Sequence, residues 1–299
     1  LVPEDKHDLV AETLADMILN DHAGHLDTGI FGTQYLVNAL ADNGFIDVAY
    51  DVLTKTTYPS FGYQIERGAT TLWEGWPERT GMQSHNHAMF AGVGTSFYTK
   101  LAGIQPASPG YKAIQIRPHI PKELEAAEGS IETVYGVVAS KWEQKQNGQL
   151  KLDVTVPANT TATVFVPADS QWAVTAGNQF AHEVAEITFT GMEANYAVYE
   201  IGSGSYTFNV NFLSASDLKE LVAQFEEAEA FANESVAHAL KLHLTAVSRF
   251  EEQGVGEKVV KHMKRFVQLL DYQKEKALIS EEAYHVLKTH TNSLIERFQ

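Results

Sequence analysis

Residues 103–121, Gly-Ile-Gln-Pro-Ala-Ser-Pro-Gly-Tyr-Lys-Ala-Ile-Gln-Ile-Arg-Pro-His-Ile-Pro, separate a helical sequence from a strand-forming one. Four prolines fall within this stretch, and the interior of a helix does not tolerate proline. Before the stretch, apolar residues recur at helical spacing, and beyond it they alternate with polar residues. The prolines therefore predict a change of secondary structure just after Gly103.

The sequence before Gly103 predicts helices joined by loops. Helical spacing covers residues 4–19, 31–40, 46–54 and 86–101. The loops between them are rich in Gly, His, Trp and Tyr, and such loops on a helical scaffold usually carry function. Short loops between helices produce antiparallel hairpins, and an array of hairpins fits an α/α toroid. About four helices are too few to close such a ring.

Beyond the prolines, the sequence predicts a β-rich region. Strand patterns cover residues 141–143, 150–156, 161–166, 172–175, 185–189, 196–201 and 206–212. Asn147-Gly148 is a strong signal for a tight hairpin. Short strands at this spacing, with turns between them, predict an antiparallel β-sandwich.

Helical spacing returns at Ser214, which forms a capping-type start with Asp217. Three further helices are predicted at 234–253, 257–276 and 280–298, which gives a C-terminal four-helix bundle with its own core. The sequence thus predicts a multidomain α and β protein. Its predicted domains are residues 1–103, 104–212 and 213–299.

Composition narrows the classes of partner. The chain has 299 residues and a formal net charge of −16, from 22 basic and 38 acidic residues. Nucleic acids and anionic membranes require a basic surface, so neither is expected as a partner. Cysteine is absent, which excludes disulfides and thiolate metal sites, and no apolar run reaches the length of a membrane span. Because the chain starts at Leu1 and enters a helical pattern at once, we interpret it as a fragment or a processed piece whose signal peptide is not observable.

The strongest chemical signal is Gly68-Ala69-Thr70-Thr71-Leu72-Trp73-Glu74-Gly75-Trp76, which places the carboxylate of Glu74 between two indoles. A sugar ring has an apolar C–H face and a polar rim, so aromatic faces beside a carboxylate suit it. A carboxylate in such surroundings can also serve in acid–base chemistry. The alternative is that Trp73 and Trp76 are core side chains and Glu74 is a solvated loop carboxylate.

Several motifs in order resemble one family. They are His25-Leu26-Asp27-Thr28-Gly29-Ile30-Phe31-Gly32-Thr33-Gln34-Tyr35-Leu36, Thr57-Tyr58-Pro59-Ser60-Phe61-Gly62-Tyr63, Gly68 to Glu74, and Asn86-His87. Together they resemble the C-terminal half of the catalytic domain of bacterial α-L-rhamnosidases, glycoside hydrolase family 78. The segment Gly110 to Pro118 and the strands after it resemble that family's C-terminal β-sandwich. The resemblance covers about residues 1–212.

The resemblance implies a partial (α/α)6 barrel and hydrolysis of terminal α-L-rhamnosides with inversion, without a metal or cofactor. Glu74 matches the glutamate assigned as the family's general base, and His87 matches a histidine that contacts rhamnose. Trp73 and Trp76 flank the base and are expected to contact the sugar. His25 and Asp27 belong to a family motif without an assigned role, and the alternative for both is a hydrogen-bond network between loop and helix.

The chain departs from the family in one respect that bears on activity. An inverting glycosidase needs two carboxyl groups, and the family's general acid lies in an upstream motif that this sequence lacks. Glu4, Glu66 and Glu78 are other carboxylates of the helical region, but none resembles that acid. The resemblance therefore predicts that this chain alone has little or no activity and exposes an unstable barrel edge.

The last segment resembles a different module, the FIMAH domain of secreted bacterial hydrolases. The matching stretches are Leu221 to Glu226, Leu242 to Val247, Val260 to Lys264 and Leu278 to Ser280. The resemblance implies an accessory or attachment role and an extracellular setting. His238, His243 and His262 raise the question of a metal site, but the first two are five residues apart rather than the four that align ligands on a helix, which favours surface or hydrogen-bonded histidines.

Two other functions remain open from the sequence. The chain could belong to another α/α-barrel glycosidase with a different sugar, because fold alone does not determine substrate. It could also be a non-catalytic carbohydrate-binding or surface-attachment protein, since residues 104–299 could serve that role without chemistry. The sequence does not indicate the oligomeric state, the rhamnoside linkage or the aglycone.

Overall fold

The structure of the chain is a computed structural model, and it describes residues 2–77, 84–145, 149–177, 179–210 and 213–298. A helical region comes first, then two sheets, then four helices. Two features singled out in the sequence, Glu78 and the Asn147-Gly148 turn, lie outside the described residues.

The helical region follows the predicted order but differs in its bounds. Its α-helices are α1 (His7–Asp16), α2 (Gly32–Asp42), α3 (Ile46–Thr54), α4 (Phe61–Glu66) and the short α5 (Gly94–Ser96). Helix α1 continues as a π-helix, Met17–Asp21, instead of ending near residue 19. Helix α4 was predicted as a loop, although Ser60 marks its start, with its hydroxyl accepting from Tyr63 N at 2.9 Å.

The predicted helix at 86–101 is wrong as a single α-helix. The segment is a 3₁₀-helix (Ala88–Val93), then α5, then a π-helix (Phe97–Leu101). Gly92 and Gly94 lower the helical preference of the segment. A side chain at Gly92 would also overlap Gln34, so close packing against α2 occurs where the helix is irregular.

The core of the helical region is built from α1, α2 and α3, with one residue each from the π-helix Met17–Asp21, the loop before α2 and the 3₁₀-helix Ala88–Val93. Its buried members are Ala15, Ile18, Leu26, Val37, Leu40, Ala49, Val52 and Val93. Partly buried aromatic residues pack against this cluster, among them Phe45, Phe61 and Trp76. The core therefore reaches the loop that carries the Trp-Glu motif.

Eleven strands are described between residues 104 and 210. They are β1 (Ile104–Pro106), β2 (Ala113–Ile116), β3 (Ala126–Thr133), β4 (Gly136–Gln144), β5 (Leu150–Val156), β6 (Thr161–Pro167), β7 (Val174–Ala176), β8 (Gln179–Phe180), β9 (Ile187–Glu193), β10 (Tyr196–Ile201) and β11 (Gly204–Val210). One sheet has the order β1-β2-β6-β10-β9 and the other β3-β4-β5-β11-β7-β8. Strands β1, β2, β3 and β8 had no separate prediction. The strand predicted at 172–175 begins as a 3₁₀ turn, Gln171–Ala173.

The prediction of an antiparallel β region needs one correction. Strand β2 pairs with β6 in parallel, in the register Ala113↔Thr161 to Ile116↔Val164. A parallel pair needs a long connection, and here β3, β4 and β5 lie between the two strands in the chain. The hairpin β3–β4 keeps the expected antiparallel register, from Ala126↔Glu143 to Thr133↔Gly136.

The C-terminal helices are α6 (Ala215–Glu227), α7 (Glu234–Glu252), α8 (Gly256–Glu275) and α9 (Glu281–Arg297). Each packs against the next, and α9 also packs against α6. They share one cluster of buried apolar residues that includes Leu244, Phe266 and Leu287, each with no exposed surface. No described helix is both long enough and apolar enough to cross a membrane.

By contacts, the chain forms two compact units. The first comprises Leu1–Gln144, Leu152–Phe165 and Tyr199–Thr207. The second comprises Lys145–Lys151, Val166–Val198 and Phe208–Gln299. The predicted domain boundaries at 103/104 and 212/213 stay predictions.

The capping box at the start of α6 yields a first expected result. The Ser214 hydroxyl accepts from Asp217 N at 3.1 Å, and the Asp217 carboxylate accepts from Ser214 N at 2.7 Å. Ser214→Ala is expected to cost about 0.5–2 kcal/mol of local stability, because it removes one of these caps. Hydrogen exchange of the α6 amides measures the loss.

A matched control is Asn233→Ala at the start of α7. The Asn233 side chain accepts from the Ser235 hydroxyl, and it makes no cap hydrogen bond within the described residues. Its replacement is expected to change exchange in α7 by less than Ser214→Ala changes exchange in α6. Equal effects of the two substitutions would contradict a stabilising role for the Ser214 cap.

Candidate functional site

Glu74 lies in the loop after α4 and is held from one side. Its backbone N–H donates to Ser84 O at 2.9 Å, and its Oε2 accepts from Ser84 N at 2.9 Å. Within the described part of the chain, no residue hydrogen-bonds Oε1 of this half-buried carboxylate. The arrangement fixes the carboxylate through one oxygen, and the other oxygen has no hydrogen bond from any residue that the structure describes.

The loop around Glu74 is fixed by long-range hydrogen bonds. Gln64, which is 3% exposed on α4, donates through Nε2 to Gly75 O at 2.9 Å. The Thr71 hydroxyl donates to His85 O, and His87 N donates to Leu72 O at 2.7 Å. The last two bonds join the residues before Glu74 to the segment that follows the undescribed residues 78–83, and the first joins α4 to the residue after Glu74.

Trp73 is 5% exposed and stacks on His85, with ring centroids 4.4 Å apart and an interplanar angle of 13°. This geometry matches the alternative in which Trp73 is a packed side chain. Its indole therefore supports the loop that carries Glu74, and His85 is a neighbour that sequence reasoning missed.

Trp76 is fixed by three contacts. Its Nε1–H donates to Thr28 O at 2.9 Å. Its ring packs on Phe61 at 5.0 Å and on Phe90 at 4.6 Å between centroids. Trp76 is thus half-buried against the helical core, and its remaining surface faces an open groove.

His87 is half-buried, and its Nε2 lies out of contact with solvent. No hydrogen-bond partner for this nitrogen exists among the described residues. Because solvent does not reach this nitrogen, the structure by itself gives His87 no open contact for a ligand.

The groove beside Trp76 has a volume of about 670 Å³. His22, His25, Asp27, Tyr58 and Trp76 are among the residues that line it. Glu74, Trp73 and His87, which the structure also describes, do not line it. The structure thus joins Trp76 to the His25 motif and leaves the other three predicted site residues outside this groove.

His25 and Asp27 differ in their surroundings. His25 Nε2 lies 2.7 Å from the Thr57 hydroxyl, and its Nδ1 lies 3.1 Å from His22 O. Asp27 has a side chain that is 77% exposed and lies 3.8 Å from His22 Nε2. The loop network considered from the sequence therefore accounts for His25, while Asp27 stays an exposed carboxylate on the groove.

Other carboxylates and histidines singled out in the sequence lie elsewhere. Glu66 ends α4 and is exposed, and Glu4 belongs to a short 3₁₀ turn. In the C-terminal helices, His243 Nε2 lies 2.9 Å from His262 O, while His238 is exposed. Over the described ranges, no three His, Asp, Glu or Cys side chains are grouped as a metal site would require.

Comparisons with known proteins assign the regions. Residues 1–101 match the bacterial alpha-L-rhamnosidase 6 hairpin glycosidase domain, and residues 103–181 match the bacterial alpha-L-rhamnosidase C-terminal domain. Residues 215–296 match the FIMAH domain. An alpha-L-rhamnosidase of Streptomyces avermitilis is 38% identical over 218 residues, which are 70% of this chain and 20% of that protein.

Solved structures that resemble this chain are also alpha-L-rhamnosidases. The alpha-L-rhamnosidase from Dictyoglumus thermophilum has a TM-score of 0.64 at 38% identity, over 70% of this chain and 24% of that one. The Streptomyces avermitilis alpha-L-rhamnosidase complexed with L-rhamnose has a TM-score of 0.63 at 36% identity, over 70% of this chain and 20% of that one.

The matched regions before residue 182 are those of a glycosidase. The family is that of the bacterial α-L-rhamnosidases, and this chain belongs to it, with a FIMAH domain after the rhamnosidase regions. The chain spans about a fifth of the length of the curated relatives it matches.

Proposed function

We propose that this chain is part of an inverting α-L-rhamnosidase and supplies its general base, Glu74. The observation that carries the proposal is the fixation of the Glu74 carboxylate through Oε2, with Oε1 unengaged among the described residues. A general base must be held in place and keep a free oxygen for the attacking water. The family to which the chain belongs supports the substrate, a terminal α-L-rhamnoside.

In the proposed mechanism, Glu74 Oε1 takes a proton from a water molecule that attacks the anomeric carbon. A carboxylic acid outside this chain protonates the leaving glycosidic oxygen on the opposite side of the sugar. The family resemblance assigns His87 a contact with the rhamnose, and Trp76 offers its indole surface at the groove that it lines. Trp73 acts indirectly, because its stacking on His85 supports the loop on which Glu74 lies.

The proposal also covers the domain organisation of the chain and its location outside the cell. Residues 1–103 belong to a partial (α/α)6 barrel, residues 104–212 to a β-sandwich and residues 213–299 to a four-helix bundle, in a protein that acts outside the bacterial cell. Support for a partial barrel comes from large apolar side chains that the helical region leaves exposed, such as Phe31 at 74%, Tyr35 at 70% and Leu9 at 62%. A surface of this kind is suited to a further layer of protein.

The experiment that tests the proposal compares two proteins on 4-nitrophenyl α-L-rhamnoside. One is this chain, and the other is the same chain extended by the coding sequence upstream of Leu1. We expect turnover only in the extended protein, because the general acid is absent from the chain as given. Release of 4-nitrophenol and proton NMR of the first-formed anomer measure rate and stereochemistry. A folded extended protein that leaves the rhamnoside intact would remove the substrate from the proposal.

A further inference from the structure

A second groove lies within the second compact unit. Its volume is about 330 Å³, within the range of roughly 300–1,000 Å³ that small-molecule sites occupy. Trp172, Phe189 and Met192 supply the apolar part of its lining. Asp169, Glu282 and Thr289 supply carboxylate and hydroxyl oxygens.

Trp172 is held rigidly where it meets the groove. Its ring lies 5.4 Å from Phe225, 5.5 Å from Phe180 and 4.4 Å from His182 between centroids. It packs against the core of the C-terminal helices, and its backbone N–H donates to the Ser170 hydroxyl at 3.2 Å. A half-buried indole fixed in this way offers an aromatic surface without having to be ordered on binding.

Helix α9 contributes one face to the groove. Glu282, His285, Val286 and Thr289 have the spacing i, i+3, i+4 and i+7, which aligns side chains along one side of a helix. Neither Glu282 nor Asp169, which also lines the groove, forms an ion pair with any residue that the structure describes. The two carboxylates are therefore available as hydrogen-bond acceptors.

We propose that this groove is a non-catalytic binding site for a neutral saccharide. The aromatic and thioether surfaces suit the C–H face of a sugar ring, and the rim oxygens accept hydrogen bonds from its hydroxyl groups. Two carboxylates and a net charge of −16 disfavour an anionic ligand. The choice of a sugar rests on the proposed glycosidase function, for which a second saccharide contact would hold a polymeric substrate on the protein.

The test is binding of monosaccharides to the whole chain, followed by saturation-transfer NMR and titration. The probes are L-rhamnose, D-galactose and D-glucose, with ethanolamine as a cationic probe of similar polarity. Thr289→Trp fills the groove from an exposed position on α9. Gln268→Trp is the matched control, because it adds an indole to an exposed position of α8 that does not line the groove.

We expect at least one sugar to bind, with a dissociation constant raised about tenfold or more by Thr289→Trp and left unchanged by Gln268→Trp. Glu282→Gln keeps the shape of the rim and an acceptor oxygen, so it should change sugar binding by less than about threefold. Loss of ethanolamine binding in Glu282→Gln, with no sugar bound by the parent chain, would overturn the proposal in favour of a cationic ligand. Sugar binding that Thr289→Trp leaves intact would also overturn it.

The binding experiment distinguishes a failure of the second groove from a failure of the proposed catalytic site. Glu74 does not line this groove, so Glu74→Gln should leave the measured binding unchanged. Sugar binding that Glu74→Gln abolishes and Thr289→Trp preserves would place the ligand at the first site and refute the second. Inactivity of the extended protein on rhamnosides, with intact binding here, would refute the catalytic proposal alone.

Discussion

In the protein extended by its upstream sequence, Glu74→Gln is expected to lower kcat on 4-nitrophenyl α-L-rhamnoside by about 10²–10⁴-fold. Glutamine keeps the size of the side chain and an oxygen that accepts from Ser84 N, so the loop should retain its conformation. Its amide cannot take a proton from water at neutral pH. The substitution therefore removes the proposed base and little else.

A further measurement separates a base from a residue that only shapes the loop. The KM should change far less than kcat, because Glu74 acts on water rather than on the ground-state sugar. Glu66→Gln, at an exposed position that ends α4, is the matched control and should leave both kcat and KM unchanged. Near-normal turnover in Glu74→Gln would return Glu74 to a solvated loop carboxylate.

The largest expected effect on stability comes from Leu244→Ala in α7. Leu244 has no exposed surface and belongs to the shared core of the C-terminal helices. Truncating a fully buried leucine costs about 2–5 kcal/mol, from lost burial and from the cavity left behind. On the same helix, Leu242 is 64% exposed, and Leu242→Ala should change the stability by no more than about 0.5 kcal/mol.

Hydrogen exchange followed by mass spectrometry measures the difference between these two variants. A loss of 2 kcal/mol or more raises the opening equilibrium of the C-terminal helices by about thirtyfold or more. Peptides from residues 215–296 of Leu244→Ala should therefore exchange faster than those of Leu242→Ala, while α2 and α3 of the first unit are unaffected. Equal exchange in both variants would mean that Leu244 does not belong to a cooperative core.

Elements with a strong local signal were predictable from the sequence. Helix α3 spans Ile46–Thr54, as its apolar spacing predicted, and α7, α8 and α9 begin and end within a residue of their predicted bounds. The start of α6 followed from Ser214 and Asp217, because a capping box lies within four consecutive residues. In each case the information needed lies inside the element or at its end.

Features that depend on distant residues were not predictable in this way. The parallel pairing of β2 with β6 joins segments about fifty residues apart, and nothing in either strand specifies the direction of its partner. The irregular helix at 88–101 reflects glycines and the packing of Gly92 on Gln34, which periodicity alone does not reveal. Long-range contacts decide both features.

At the candidate site, too, local sequence was informative and long-range contacts were not predictable. The motif indicated which residues to consider, but it could not distinguish the two indoles. Trp73 stacks on His85, while Trp76 donates to the carbonyl of Thr28, 48 residues away. Ser84, whose amide holds Glu74, is ten residues from it and carried no signal of its own.

The junction at Gly103 has a consequence for anyone who divides the protein into parts. Gly103 has a φ of +77°, and a side chain there would overlap the backbone of Arg117 and Pro118. Nearby, the buried indole of Trp142 donates to Leu101 O at 2.7 Å, across the border between the two rhamnosidase family regions. A gene fragment that stops at this border would strip the last helical turn of its indole donor and leave Trp142 without its acceptor. The matched family regions and the compact units of this chain therefore have different borders, and truncations designed for expression should keep Trp142 together with Leu101.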